Sequence, residues 1–293
     1  MDLERFLAEN RKLVEGHLRT LFSALHGFSR TLKEAMEYSL FSDGKRIRPS
    51  LAIAACVAMD GRTDEVLPFA AAIEMIHTYS LIHDDLPCMD DDDLRRGRPT
   101  CHKVFGEAVA LLAGDALLTE AFRVMANPQT CRVPASVAQR VIFEVARAAG
   151  AAGMVAGQAM DVLSEGKAGT KRIVNFIHRN KTSALIRASI LAGALVGRAG
   201  RLQLKAFTTF GESIGLAFQI RDDLLDVEGS EAEVGKKLNK DAEKQTYVRI
   251  YGVAASKARI GALIDKAVAS LAFLDKRADM LIQIANFIGH RSF

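Results

Sequence analysis

The chain has no tryptophan, only six prolines, and four cysteines, Cys56, Cys88, Cys101 and Cys131, with no C-x-x-C pair among them. Scarce proline alongside abundant alanine and leucine leaves long segments free to be helical. The unpaired cysteine spacing excludes a disulfide framework and reads as the reduced thiols of a cytoplasmic protein. Cys101-His102 is at most half of a zinc site, and the other half is missing. Apolar stretches such as LAIAACVAM stop well short of a membrane span. The N-terminal MDLERFLAEN carries early acids and no long apolar core, so it reads as neither a signal nor a transit peptide. The net charge is only +4, and no patch interleaves basic with aromatic residues. Nucleic acid is therefore not an expected partner.

What the chain does have is helical periodicity. Of its 293 residues 49% are hydrophobic and 25% charged, enough for a sizeable core. No stretch alternates strictly enough to argue for a strand. Glycine, proline and polar breakers divide the sequence at 44–49, 61–64, 87, 97–99, 128–134, 166–169, 197–200 and 229–235, none long enough for an interdomain linker. The expected architecture is all-α, a single domain over residues 1–293, with about ten or more helices around a central cavity.

Acid is the next feature. Residues 84–93 hold six aspartates, followed at once by Arg95, Arg96 and Arg98. The preceding EVLPFAAAIEMIHTYSLIHDD is apolar nearly all round, as a buried helix should be. His77 and Asp84 fall almost on one line two turns apart, with Ser80 close by. In FGESIGLAFQIRDDLLD, Gln219, Asp222, Asp223 and Asp226 recur at helical steps toward the C-terminal end. A helix carries partial negative charge at that end, so aspartates there are a poor choice for stability. Two apolar helices ending this way point to a cation between them. Mg²⁺ fits, since it takes carboxylates together with substrate phosphates; Mn²⁺ is the alternative. An acidic run is otherwise an ordinary solvated face. An EF-hand is excluded because the glycine and terminal glutamate are misplaced. Glu74-Met75-Ile76-His77 has no second copy, so a di-iron site is rejected.

Basic residues gather in turns beside these acids. SDGKRIRPS supplies Gly44, Lys45, Arg46 and Arg48. LRRGRPTCHK supplies Arg95, Arg96 and Arg98. RNKTSAL supplies Lys181 and Thr182, and VGKKLNKDAEKQTY supplies Lys236, Lys237, Lys240 and Lys244. Arginine forks onto phosphate oxygens and lysine acts as a point charge. Two differently held diphosphates are implied, one clamped through metal by aspartates and one gripped directly.

Taken together, GKRIRP, DDLPCMDDDDLRRGRPTCH, GDALL, GQAMD, KTSALI, FQIRDDLLD and GKKLNKDAEKQTY resemble the short-chain trans-isoprenyl diphosphate synthases, most of all the bacterial farnesyl diphosphate synthases. The resemblance covers roughly residues 40–250 and keeps the family's motif order. It implies an all-helical homodimer, Mg²⁺-dependent, condensing isopentenyl diphosphate head-to-tail with an allylic diphosphate. By motif, Asp84, Asp85 and Asp90 would hold metal on the allylic diphosphate, with Asp222, Asp223 and Asp226 opposite. Arg95, Lys181 and Lys236 would contact that diphosphate, with Lys244 in the same basic segment. Gly44, Lys45, Arg48, His77 and Arg96 would form the isopentenyl diphosphate site. Thr182 and Gln219 would line the reacting centre, with Gln158 and Asp161 completing its wall. In the family the positions four and five before the first aspartate, here Ser80 and Tyr79, set chain length. Tyr79 with the Pro87-Cys88 insertion implies a C15 product. Helix geometry alone places Tyr79 about 140° from Asp84 and would not have chosen it. Asn239 and Lys240 depart from the family's pattern. A geranyl or geranylgeranyl synthase, a class I terpene cyclase and a silent partner subunit are the alternatives. The cyclase should lack GKRIRP, and the silent subunit should have lost an aspartate cluster.

Overall fold

The computed structural model describes residues 2–27, 29–167, 169–228 and 245–290. Lys236, Lys237, Asn239, Lys240 and Lys244 lie outside the described residues. Among the described residues are fourteen α-helices: α1 (Leu3–Ser23), α2 (Arg30–Leu40), α3 (Ile47–Ala58), α4 (Thr63–Asp84), α5 (Cys101–Phe105), α6 (Glu107–Ala126), α7 (Ala135–Ala149), α8 (Met154–Ser164), α9 (Lys171–Ile177), α10 (Ala184–Val196), α11 (Arg201–Glu228), α12 (Tyr247–Tyr251), α13 (Val253–Ser270) and α14 (Asp279–His290). The all-α expectation holds.

Burial follows the apolar sequence. Every residue of α10 except Arg187 is buried, and α10 packs on α3, α4, α7 and α11. Helix α4 lies against α1, α3, α6 and α10. From Val66 to Ile82 only Leu67, His77, Ser80 and Leu81 are not fully buried. His77, Ser80 and Leu81 lead to half-buried Asp84 at steps of three and four residues, the spacing of one helical face. The polar stripe read from the sequence is thus the one strip of α4 left partly open toward its acidic end.

One short hairpin departs from the purely helical expectation. Strands β1 (Leu94–Arg95) and β2 (Arg98–Pro99) pair antiparallel. Arg96 and Gly97 form the turn with φ of 54° and 73°. Positive φ at both central residues suits a tight two-residue hairpin, and glycine takes it without steric cost. Two residues per strand give too little alternation for periodicity to reveal.

Lys181, Thr182 and Ser183 of the KTSAL segment lie in a π-helical turn, His178–Ser183, inserted between α9 and α10, and Ala184 and Leu185 open α10. Such turns are uncommon and cluster at functional sites. Two glycines let neighbouring helices close on it. A Cβ at Gly157 of α8 would sit 2.1 Å from the Lys181 amide nitrogen, and one at Gly215 of α11 would sit 2.4 Å from Ser183 Oγ. Gly157→Ala should therefore lower the unfolding free energy by about 1–3 kcal/mol through overpacking, against alanine's intrinsic helical advantage of about 1 kcal/mol. Denaturant unfolding checks this; equal or greater stability would show that the turn has room to move.

Candidate active site

The acidic end of α4 is followed by a tight return. Asp90 N–H donates to Asp84 O at 2.9 Å, Met89 N–H to Leu86 O at 2.8 Å, and Asp92 N–H to Asp85 O at 3.3 Å. Proline at position 87 has no N–H and cannot prolong the helix. The backbone therefore folds Asp90 over the helix end that carries Asp84.

The hairpin then returns Arg95 to the same place. Its guanidinium Nε donates to both Asp85 oxygens, at 2.7 and 2.8 Å. Burial raises the Asp85 pKa, and the Arg95 hydrogen bond works against that shift. Burial pushes Asp84 up to about 6; Lys181 opposes this, while Asp90 adds to it. The influence of Lys181 ties the end of α4 to the π-helical turn.

From that turn a chain of contacts crosses to α11. Thr182 Oγ1 donates to Gln219 Oε1 at 2.6 Å, and Gln219 Nε2 donates to Asp223 Oδ1 at 3.1 Å. Lys181 Nζ is held by buried Asp161 Oδ2 of α8 at 2.7 Å. Asp84, Lys181, Thr182, Gln219 and the aspartates of α11 are thereby brought into one neighbourhood.

The three aspartates of α11 are not equivalent. Asp222 and Asp226 are half-buried on one face, four residues apart. Asp223 is 6% exposed, and the structure directs it into the wall instead. Besides Gln219 on Oδ1, its Oδ2 accepts the Tyr247 amide at 2.6 Å and lies 3.2 Å from His178 Nε2. A shift of about 100° between adjacent helical residues separates its direction from that of Asp222. His178 and Tyr247 stack at 6.0 Å, and Tyr247 stacks on Tyr251 at 4.2 Å. Composition and motif gave no sign of His178 or Tyr251, and Tyr247 entered only as the last residue of GKKLNKDAEKQTY, with no role. The only available signal was His178 three residues before Lys181.

A second, basic neighbourhood lies beside the first. A Cβ at Gly44 would sit 2.6 Å from an Arg96 Nη, so the 44–48 turn and the hairpin touch closely there. Burial holds His77 well below the usual histidine pKa, and the guanidinium groups of Arg48, Arg96, Arg95 and Arg46 depress it further. His77, Arg48 and Arg96 therefore share one electrostatic environment. Lys45 Nζ lies 5.1 Å from the Phe287 ring of α14, a contact with no sequence signal. Arg46 turns the other way, at φ 48°. Its Nη1 donates to Glu74 at 2.9 Å and its Nη2 to the carbonyls of Leu40 and Ser42 at 2.8 Å each. The pair is buried and spans α3 and α4, so Arg46 anchors the turn that presents Lys45 and Arg48. Glu74 is likewise explained as its partner.

Tyr79 is buried, its ring edge-on to His83 at 5.6 Å. Burial pushes its phenol up to about 12, and the charge of Asp84 adds to this. Ser80 is half-buried and donates to His77 O at 2.8 Å.

A metal can be accommodated. Among the described residues, no three His, Cys, Asp or Glu side chains converge as a ready-made cage. The carboxylates are divided between two helix ends, which suits a hard cation that keeps water and phosphate oxygens as most of its ligands.

The sequence matches the polyprenyl synthetase family model over residues 29–276. The chain belongs to the polyprenyl synthetase family. Among similar polyprenyl synthetases, the farnesyl diphosphate synthase of Geobacillus stearothermophilus is 46% identical over 99% of this chain and 98% of its own. The geranylgeranyl diphosphate synthase of Cyanophora paradoxa is 43% identical over 99% of this chain and 97% of its own. Among solved structures, the geranyltransferase of Legionella pneumophila aligns with a TM-score of 0.88 at 32% identity, covering 99% of this chain and 98% of its own.

Proposed function

We propose that the chain is a trans-prenyltransferase that condenses isopentenyl diphosphate with dimethylallyl or geranyl diphosphate to give farnesyl diphosphate and inorganic diphosphate. The observation that carries this reading is the hydrogen-bonded line from Thr182 through Gln219 to Asp223 of α11, in the same turn whose Lys181 acts electrostatically on Asp84. It brings two acidic helix ends to a shared basic turn, with Arg48, His77 and Arg96 grouped beside them.

Asp84, Asp85 and Asp90 would hold Mg²⁺ or Mn²⁺ from one side, and Asp222 and Asp226 from the other. Asp223 orients Gln219 and His178. When bound, the metal supplies charge neutralisation to the departing diphosphate. Lys181, Arg95 and, from outside the described residues, Lys236 and Lys244 neutralise the same leaving group, which lets the allylic C–O bond ionise. Thr182 and Gln219 present oxygen dipoles to the allylic cation. Gly44, Lys45, Arg48, His77 and Arg96 hold isopentenyl diphosphate so that its double bond attacks the cation. Loss of a proton to the released diphosphate completes the product. Apolar walls from α4 and α10 exclude water that would quench the cation.

The same relatives name a second product, geranylgeranyl diphosphate, and Tyr79 is the residue that discriminates. Buried one turn below the acidic end of α4, it would close the apolar channel at C15. Tyr79→Ala should shift the dominant product to C20 or longer. Product sizing by mass spectrometry checks this, and an unchanged profile removes Tyr79 from the floor. The reading as a whole is tested by incubating the protein with Mg²⁺, isopentenyl diphosphate and each allylic partner in turn. Products unaffected by chelator, or none with any partner, would overturn it.

No described helix is long and apolar enough to cross a membrane. A homodimer is supported by the face of α6, where Leu111 and Leu112 are 46% and 55% exposed. A cytoplasmic setting accords with the unpaired cysteines.

A further inference from the structure

A second cation-rich region lies behind the π-helical turn. A cavity of about 380 Å³ opens between α7, the turn, α10, α11 and α13. Arg147, Arg179, Arg187, Arg259 and Lys266 line it against a single acid, Glu212. The balance is poorly met within the protein. Arg187 reaches Glu212 only at 3.9 Å, and the Glu212 side chain is 60% exposed, so that pair is weak. Arg147 is held by Glu144 of its own helix at 2.6 Å. Arg259 is engaged by the Tyr247 side chain. Arg179 and Lys266 have no ion pair or hydrogen bond among the described residues.

Like charges around one concavity raise the potential there and concentrate counter-ions. Four guanidinium groups select multi-oxygen anions such as phosphates over halide, because each planar group offers a fork of donors. An adjoining cavity of about 180 Å³ shares Arg147 and Arg187 and adds Arg140 and Lys205, with Glu144 as its acid. Joined through Arg147 and Arg187, the two make one basic trough lined by cations from Arg140 and Lys205 to Arg179, Arg259 and Lys266, more of them than one small anion would engage. The trough is not the condensation site. Asn180 and Ser183 reach it from the turn that also carries Lys181 and Thr182, whereas Lys181 itself is tied to Asp161 of α8.

We propose that this trough is a binding site for an oligophosphate anion, metal-free and separate from both diphosphate positions of the proposed reaction. The site goes beyond the prenyltransferase reading and does not depend on it.

Calorimetric titration of the full chain with inorganic triphosphate, in chelator and at near-physiological ionic strength, tests the proposal. Wild type should bind two anions per chain. Arg179→Gln with Lys266→Gln should lose one, with affinity at that site weakened at least tenfold. Lys45→Gln with Arg48→Gln should retain that same one. Both pairs lie mostly at exposed or half-buried positions, and thermal unfolding confirms that each variant folds; Lys266→Glu alone serves if the first double variant does not. Titration with inorganic diphosphate, ATP and isopentenyl diphosphate separates inorganic, nucleotide and prenyl sources of the phosphate chain. An isotherm unchanged in the Arg179/Lys266 variant overturns the proposal. So does loss of all binding in the Lys45/Arg48 variant, or displacement by sulfate at matched ionic strength. A chain that bound triphosphate as described yet made no prenyl product would refute the proposed function and leave this site intact.

Discussion

Asp84→Asn is expected to reduce turnover by at least about 10³-fold while leaving the fold in place, because a metal-anchoring charge disappears and several kcal/mol of transition-state stabilisation disappear with it. The stability of the same variant tests the electrostatics independently. Burial raises the Asp84 pKa to about 6, with Asp90 and Asp85 adding to the shift and Lys181 opposing it. A carboxylate whose folded pKa lies above its unfolded value of 3.8 favours the fold while protonated. That contribution is fully present below pH 3.8 and is lost as pH rises through about 6. At pH 7.5, without metal, the ionised side chain therefore opposes folding. Asparagine removes the charge, so metal-free Asp84→Asn should melt at or above the wild-type temperature. Mg²⁺ added to a diphosphate should stabilise the wild type beyond the effect of diphosphate alone and add much less to the variant. Thermal unfolding with chelator, then with diphosphate alone and with Mg²⁺ and diphosphate, reads both effects. Unchanged turnover at saturating Mg²⁺, or a variant that melts well below wild type in chelator, would remove Asp84 from this role.

The opposed signs of those effects show why the acidic ends were readable in sequence. Asp84 and Asp222 sit on otherwise apolar helices at ends where the macrodipole disfavours them, so local rules fail there. The apolar character of α3, α4 and α10 likewise announced a buried core, because those segments carry side chains that water rejects nearly all round. What stayed hidden depends on tertiary direction. Arg46 and Arg48 are two residues apart in one motif, yet Arg46 reaches Glu74 in the core, while Arg48 and Arg96 both depress the His77 pKa. The β1–β2 hairpin was too short for periodicity, although its Arg-Gly turn returns Arg95 to Asp85. Phe287 reaches Lys45 across 242 positions of sequence, and such a pairing has no local signature.

Asp223 gives the second large effect, and it differs in kind from Asp222 and Asp226. Asp223→Ala should abolish turnover and also destabilise the protein by about 3–5 kcal/mol, the usual cost of removing one partner from a buried charged network. The loss strips acceptors from Gln219 Nε2, His178 Nε2 and the Tyr247 amide together. Each is a buried or half-buried donor, and an unsatisfied buried donor costs about 1–3 kcal/mol. The melting temperature should fall by on the order of 10 °C. Asp222→Ala and Asp226→Ala should impair turnover with a smaller change in melting temperature, because their carboxylates are half-buried whereas that of Asp223 is buried. Asp223→Asn discriminates further: its amide oxygen can still accept from the Tyr247 amide, so it should recover part of the stability but none of the symmetrical acceptance that fixes both Gln219 and His178. Melting curves and turnover for the four variants decide the matter. If Asp223→Ala melts with Asp222→Ala while losing turnover to the same degree, the residue acts at the metal alongside its neighbours. If it melts early, the α11 aspartates divide between holding the cation and holding the wall from which Thr182 and Gln219 project.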